Sequence, residues 1–451
     1  MDTDNVIRLA KLQDQGELPR AAEEALALEF AARHEPTLRY VAKWGRWLSF
    51  DGVRWHSDDT LHAFDRAREI CREVALECAK PAKAVASAKT VAAVERLAKA
   101  DRRLAATTAQ WDAAPLLFNS ADSTVDLRTG ADRAPDPSDY LTKRAACAAA
   151  PRGTLHPLWS EFLARITDGD VELQAFLQRY VGYCCSGLTT EHAFVFAYGT
   201  GANGKGTFIN TVRSVLGDYA TVADMNTFLA SKTERHPTDL AKLQGARLVV
   251  AQEVQQGRRW EETKLKTLTG GDMMSARFMR QDYFDFEPTF KLFIVGNHKP
   301  RLDTVDEAMR RRLLLVPFAV QIPPAERDPD LTRKLRSEWP AILRWCLDGC
   351  LSWQRVGLAP PATVCVATNT YFDDQDAMQQ WLDDCTADGG PDAFTRLSVL
   401  FPSWKDWCEA RNHRVGTATA LSELLTDRGF QKRREAGTGQ RGFDRITLKA
   451  R

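Results

Sequence analysis

One stretch constrains this chain more than any other: FVFAYGTGANGKGTFINTVRSVLG, beginning at Phe194. A short apolar run leads into a glycine-rich loop, and the loop leads into an amphipathic helix. This order points backbone N–H groups and the positive end of a helix dipole at one spot, which suits phosphate. Gly199, Gly201, Asn203, Gly204, Lys205, Gly206 and Thr207 are the expected ATP-binding residues, with Lys205 reaching the terminal phosphates. The usual pattern, G-x-x-x-x-G-K-[ST], places a magnesium-ligating hydroxyl directly after the lysine. Here Gly206 holds that position and Thr207 follows. Thr207 after a small shift, or water, would complete the metal shell, so ATP and Mg2+ are the expected cofactors.

Three more runs rich in β-branched and aromatic residues follow the first, at 246–251, 290–295 and 313–318, separated by helical or loop segments. Strands alternating with helices predict a parallel sheet in an α/β domain. ARLVVAQE ends one run in an acid, Glu253, suited to holding magnesium and polarising an attacking water. KLFIVGNHKP ends another in Asn297, whose amide can orient water at a γ-phosphate. EAMRRRLLLVPF places Arg310, Arg311 and Arg312 before the last run, where arginine supplied to a neighbouring subunit would stabilise transition-state charge.

Together GTGANGKGTF, LVVAQE, KTLTGGDMMSARFMRQDYFDFEPTFKLFIVGNHKP and RRRLLLVPF resemble the superfamily 3 helicases of phage and plasmid primase-helicases. The likeness extends upstream to LRYVAKWGRWLSFDGVRW and VDLRTG and downstream to the Trp-rich tail. It implies an AAA+-like P-loop domain, with Lys205 the Walker A lysine, Glu253 the Walker B acid and Asn297 the sensor. Arg311 or Arg312 would be the arginine finger, and the assembly a homo-hexameric ring on DNA. It further implies 3′→5′ unwinding for a phage, plasmid or integrated element. Between Walker B and the sensor the family carries a DNA-contacting pore segment. Here that is KLKTLTGGDMMSARFMRQ, whose cations Lys264, Lys266, Arg277 and Arg280 would follow a single strand's phosphates. A machine acting on protein is disfavoured, because that segment shows cations and glycines rather than an aromatic gripping pair, Phe278 apart. The alternative is an origin-binding initiator whose ATP site only switches assembly.

The length of 451 residues suggests about three domains. We expect an α+β, mainly helical N-terminal domain at 1–155, the ATPase with helical flanks at 156–355 and a winged-helix module at 374–451. Aromatic and polar residues alternate near Tyr40–Trp55 and predict a hairpin turning at Asp51-Gly52, followed by helices broken at Pro81. A further helical stretch breaks near Asp168-Gly169. In the tail, Trp404 and Trp407 are expected core residues. The wing would carry Lys432, Arg433, Arg434 and Arg441 to duplex DNA. Net charge is +1, yet ten Lys/Arg against four acids lie between Arg411 and Arg451. No carboxylate cluster suited to two-metal primer synthesis stands in the first 150 residues. A primase or polymerase of the same element would therefore be a partner. The ten cysteines show no metal-ligand spacing and are expected as reduced thiols, Cys184 and Cys185 included. No apolar run approaches a bilayer span and the start lacks a signal-peptide core, so no membrane and a cytoplasmic site are expected.

Overall fold

The structure is a computed structural model describing residues 19–77, 82–231, 238–253, 255–279, 282–302, 305–411, 413, 415–435 and 437–449. Pro81 lies outside the described residues.

In the N-terminal region, helices α1 (Glu23–His34), α2 (His62–Glu77) and α3 (Ala88–Ala98) pack on one sheet. Its strands β1 (Leu38–Val41), β2 (Arg46–Phe50), β3 (Trp55–Ser57) and β4 (Ala105–Ala106) run in the order β3-β2-β1-β4. The expected turn at Asp51-Gly52 joins β2 to β3, with the Asp51 carboxylate accepting the amides of Val53 and Arg54. Strands β5 (Leu117–Asn119), β6 (Thr124–Asp126) and β7 (Ala131–Arg133) form a meander. Phe118, Val125 and Leu127 from this meander are buried in the central core, so a part of 1–155 packs as part of the next domain.

Helices α4 (Pro157–Ile166) and α5 (Val171–Cys185) are separated at Asp168 and Gly169, which take φ of +53° and +76°. The central sheet contains β8 (Phe194–Tyr198), β9 (Ala220–Val222), β10 (Leu248–Gln252), β13 (Lys291–Gly296) and β14 (Leu313–Pro317). All are parallel, in the order β14-β8-β13-β10-β9. Both faces are covered, which is why these strands read as continuous apolar runs rather than alternating ones. Val195, Ala197, Val250, Phe293 and Val316 face α4, α5, helix α6 (Lys205–Leu216) and, further along the chain, α9 (Trp339–Val356). Phe196, Val249, Ala251, Ile294 and Leu315 face Trp260 and helix α7 (Glu262–Gly270). Strands β11 (Met274–Ala276) and β12 (Phe284–Phe286) form a separate antiparallel hairpin. The short helix α8 (Glu307–Arg310) precedes β14. Helix α10 (Ala362–Gln375) buries Tyr371 and Phe372 in the core beside β14. It therefore extends the sheet-bearing unit beyond Pro360-Pro361.

The C-terminal module packs α11 (Ala377–Cys385), α12 (Leu397–Ala410) and α13 (Ala418–Asp427) around Trp381, Trp404 and Trp407. Two small sheets complete it. One pairs β15 (Thr386–Asp388) with β19 (Ile446–Leu448); the other orders β16 (Phe394–Arg396), β18 (Arg441–Asp444) and β17 (Lys432–Arg434) as β16-β18-β17.

Candidate functional site

Parallel strands bring their C-terminal ends to one edge, and three neighbours matter here. Strand β8 opens into the glycine loop, β13 ends before Asn297 and β10 ends before Glu253. Because β13 lies between β8 and β10, with Gly296 in register with Tyr198, Asn297 comes directly beside the loop.

Lys205, the first residue of α6, has its ammonium turned back into the loop. Nζ donates to the Gly199 carbonyl at 2.8 Å, Asn203 Oδ1 at 3.1 Å and Asn297 Oδ1 at 3.4 Å. No carboxylate pairs with it among the described residues. It is 4% exposed, and that burial lowers its pKa to about 8. Asn203 is buried too, and its Nδ2 donates to the Phe318 carbonyl at 3.0 Å. Two glycines are required by shape. A Cβ at Gly204 (φ +79°) would collide with Ile166 of α4, and one at Gly199 with Asn203 and the Phe318 carbonyl. At Gly206 a Cβ would meet nothing, so space lies open where a ligating hydroxyl would otherwise stand. Thr207 is half-buried in the first turn of α6. A cation without a carboxylate, at a helix N-terminus beneath a ring of glycines, fits a phosphate chain.

Glu253 is exposed at the same sheet edge with φ +71°, left-handed backbone that a non-glycine residue adopts at a cost. Its neighbour Gln252 donates to Asn210 of α6 at 3.2 Å, coupling β10 to the loop's helix. Among the described residues, no group of three or more His, Cys, Asp or Glu could hold a metal. A magnesium ion would depend on phosphate oxygens and water, with Thr207 and Glu253 as the protein's oxygen donors.

The arginines lie elsewhere. Arg311 and Arg312 precede β14, whose first residue is level with Phe194 at the start of β8. They sit at the opposite edge from the loop, a strand's length away, about 16 Å. Arg310 pairs with Asp373 at 3.5 Å and lies over the Phe372 ring. Arg312 donates to the Ala308 carbonyl at 2.9 Å. Arg311 is exposed and has no side-chain partner among the described residues.

Lys264 and Lys266 are on α7; Lys266 is ion-paired with Asp306, the N-cap of α8. Arg277, at the end of β11, lies 4.8 Å over the Tyr283 ring. Arg280 lies outside the described residues. Around the hairpin, Met273, Phe278, Met279 and Tyr283 are exposed by 61, 37, 67 and 60%. Beside the cations, the glycines and Phe278 expected there, further apolar side chains share this surface. Of the tail cations, Lys432, Arg433 and Arg434 are on β17 and Arg441 on β18.

Two features had no signal in the sequence. The Ile322 amide donates to Ala202 at 2.8 Å, so chain 318–322 braces the glycine loop from outside. Lys299 Nζ sits 4.1 Å over the ring of Tyr198, the residue before the loop. Both are contacts between segments about a hundred residues apart, which no local pattern encodes.

Comparison with known proteins gives matches to two families and to several viral proteins. Residues 27–168 match the family described as "D5 N terminal like", and residues 197–312 match a family of unknown function, DUF5906. Over 266 residues the chain is 27% identical to "Putative helicase 022R" of Frog virus 3 (isolate Goorha), covering 54% of this chain and 27% of that protein. It is 27% identical over 179 residues to "Putative helicase L207/L206" of Acanthamoeba polyphaga mimivirus, covering 39% of this chain and 18% of the other. These matches are consistent with the resemblance to the superfamily 3 helicases of the phage and plasmid primase-helicase family. The chain spans about a quarter, or less, of the length of the curated relatives it matches. Its fold is similar to that of the apo C-terminal region of NrS-1, at TM-scores of 0.52 and 0.51 and 9% identity, with 90% of this chain and 95% of the other covered. No helix among the described residues is long and apolar enough to cross a membrane.

Proposed function

We propose that this chain is an ATP-dependent, ring-forming DNA helicase with an AAA+-like P-loop domain. It would act in the cytoplasm in replication of a phage, plasmid or integrated element, with Mg2+ as its metal and 3′→5′ polarity. The observation that carries the proposal is the Lys205 ammonium, buried at a helix N-terminus and held, among the described residues, by carbonyl and amide oxygens alone, with Asn297 among them. These neutral acceptors keep the cation in place without neutralising it. When phosphate arrives, Lys205 supplies positive charge to the terminal oxygens, Asn297 orients the attacking water and Glu253 draws on that water's proton. ATP bound as its magnesium salt supplies the phosphoryl group.

The opposite-edge position of Arg311 supports a ring. Its side chain cannot span a strand's length to its own loop, so it serves a neighbour's site or none. A homo-hexamer places that edge against the adjacent subunit's loop. A single strand would pass the β11–β12 hairpin, and duplex DNA would meet the C-terminal module, read as a winged helix. A primase or polymerase of the same element would be the partner of this activity.

Lys205→Ala is expected to lower ATP turnover by at least about 100-fold and to abolish strand displacement, while the tail still binds duplex. Unchanged hydrolysis would reject the site. The open space at Gly206 favours one rival, an initiator whose ATP site only switches assembly. Displacement on forked DNA separates the two, since a switch hydrolyses slowly and parts no strands.

A further inference from the structure

The basic tail is smaller than its charge suggests. Arg411 pairs with Asp384 at 3.0 Å, Arg428 with Asp376 at 2.6 Å and Arg445 with Asp388 at 3.1 Å. Lys449 donates to the Asp383 carbonyl. Arg433 pairs with Asp444 at 2.8 Å and lies over the Phe394 ring. Arg414 and Arg451 lie outside the described residues. Lys432, Arg434 and Arg441 remain, exposed and without a hydrogen-bonding or ionic partner among the described residues. All three are on one hairpin.

They also share one face of it. Lys432 is in register with Phe443 and Arg434 with Arg441. Side chains alternate along a strand, so Lys432, Arg434 and Arg441 project to one side and Arg433 to the other. Phe443, opposite Lys432, is on the same side but buried in the module's core, so the exposed part of that face is the edge strand and the hairpin end. Arg434 and Arg441 are therefore direct cross-strand neighbours, an arrangement that destabilises a hairpin when both carry like charge. An anion lying across the pair removes that repulsion.

The surroundings select the anion. Helix α13, the element placed to read bases in a winged-helix reading, exposes Thr419, Glu423, Thr426 and Asp427 and contains no Lys or Arg. The helix thus offers none of the Arg, Lys, Asn or Gln side chains that make bidentate contacts to purine edges, and its exposed acids Glu423 and Asp427 repel the phosphates that flank any base its Thr and acidic groups could contact. The hairpin exposes no aromatic ring on which an unpaired base could stack: Phe443 is buried and Phe430 half-buried. We propose that Lys432, Arg434 and Arg441 form a clip for the phosphate backbone of duplex DNA that grips without reading sequence. This rests on the DNA-directed reading above and narrows it: the module is a general duplex grip rather than an origin reader.

The test uses the full chain and two fluorescent duplexes of unrelated sequence, titrated by anisotropy between about 50 and 200 mM NaCl. Each phosphate contact contributes about 0.9 to the slope of log K against log salt, so Lys432→Gln/Arg434→Gln/Arg441→Gln should flatten that slope by about 2–3 for each hairpin engaged, equally on both duplexes. Arg434→Lys/Arg441→Lys should keep the wild-type slope. The free triple variant should melt no lower than wild type, since it loses a repulsion. An unchanged slope, a lowered melting temperature, or a sequence preference that survives the triple substitution would each overturn the clip. So would tighter binding of a polyglutamate peptide than of either duplex, which would mark a protein partner. Failure of the motor reading shows differently, as a wild-type chain that hydrolyses no ATP at any salt.

Discussion

Lys205 carries the argument at the scale of single residues. Burial holds its pKa near 8, so at pH 8 about half of the free protein has a neutral amine there. Phosphate binds the ammonium form and raises that pKa. Nucleotide binding therefore takes up a proton above about pH 8 and takes up almost none below pH 7, and affinity falls toward tenfold per pH unit as the medium becomes more alkaline. Calorimetry at pH 8.5 in buffers of different ionisation enthalpy should show this uptake, and affinity constant from pH 7 to 9.5 would argue against it. The lysine was legible because the glycines that bend the loop around it are its sequence neighbours. Asn203's clamp on Phe318 was not, because it joins residues 115 positions apart in the chain.

At the scale of elements, strand direction decides what each side chain can serve. Residues after β8, β10 and β13 meet at one edge; those before β14 stand at the other. Arg310 and Arg312 are held by local partners, which leaves Arg311 as the one of the three without a side-chain partner among the described residues. We expect Arg311→Ala to lower turnover by about 10³-fold, within the range for a finger supplied by a neighbour. Mixing Arg311→Ala subunits with Glu253→Gln subunits should restore part of the activity, because some interfaces then pair an intact finger with an intact Glu253. No recovery at any ratio would place the finger elsewhere. The four longer strands of the sheet were visible as apolar runs. Strand β9 was not: Ala220–Val222 is three residues at the sheet's edge, too short for any periodicity to register.

The whole molecule is tied together by groups that composition does not reveal. Arg247, only 4% exposed, donates to the Cys185 carbonyl at 2.5 Å and the Leu117 carbonyl at 2.8 Å and lies 4.5 Å over the Tyr219 ring. It thereby fastens β5, from the N-terminal region, to the helix end beneath the central sheet. Arg247→Leu leaves the buried Cys185 carbonyl and the part-buried Leu117 carbonyl without this donor and should destabilise the chain by about 3 kcal/mol, read as a lowered midpoint in urea unfolding. A midpoint within error of wild type would show that β5 is held by its apolar packing alone.

What the sequence determined by itself was whatever depends on neighbours along the chain. The strand–loop–helix around Lys205, the apolar runs of a sheet buried on both faces, the turn at Asp51-Gly52 and the helix break at Asp168 are all local. Their φ requirements and periodicities are written in consecutive residues. Only the tertiary structure decided which charges are free. The surplus of cations after Arg411 is offset in part by Asp376, Asp384 and Asp388, which lie before that segment and reach it through folding. It also decided that Asn297 meets Lys205 and that Arg311 faces away from it, because strand order in a sheet is set by packing over the whole core and not by position in the chain.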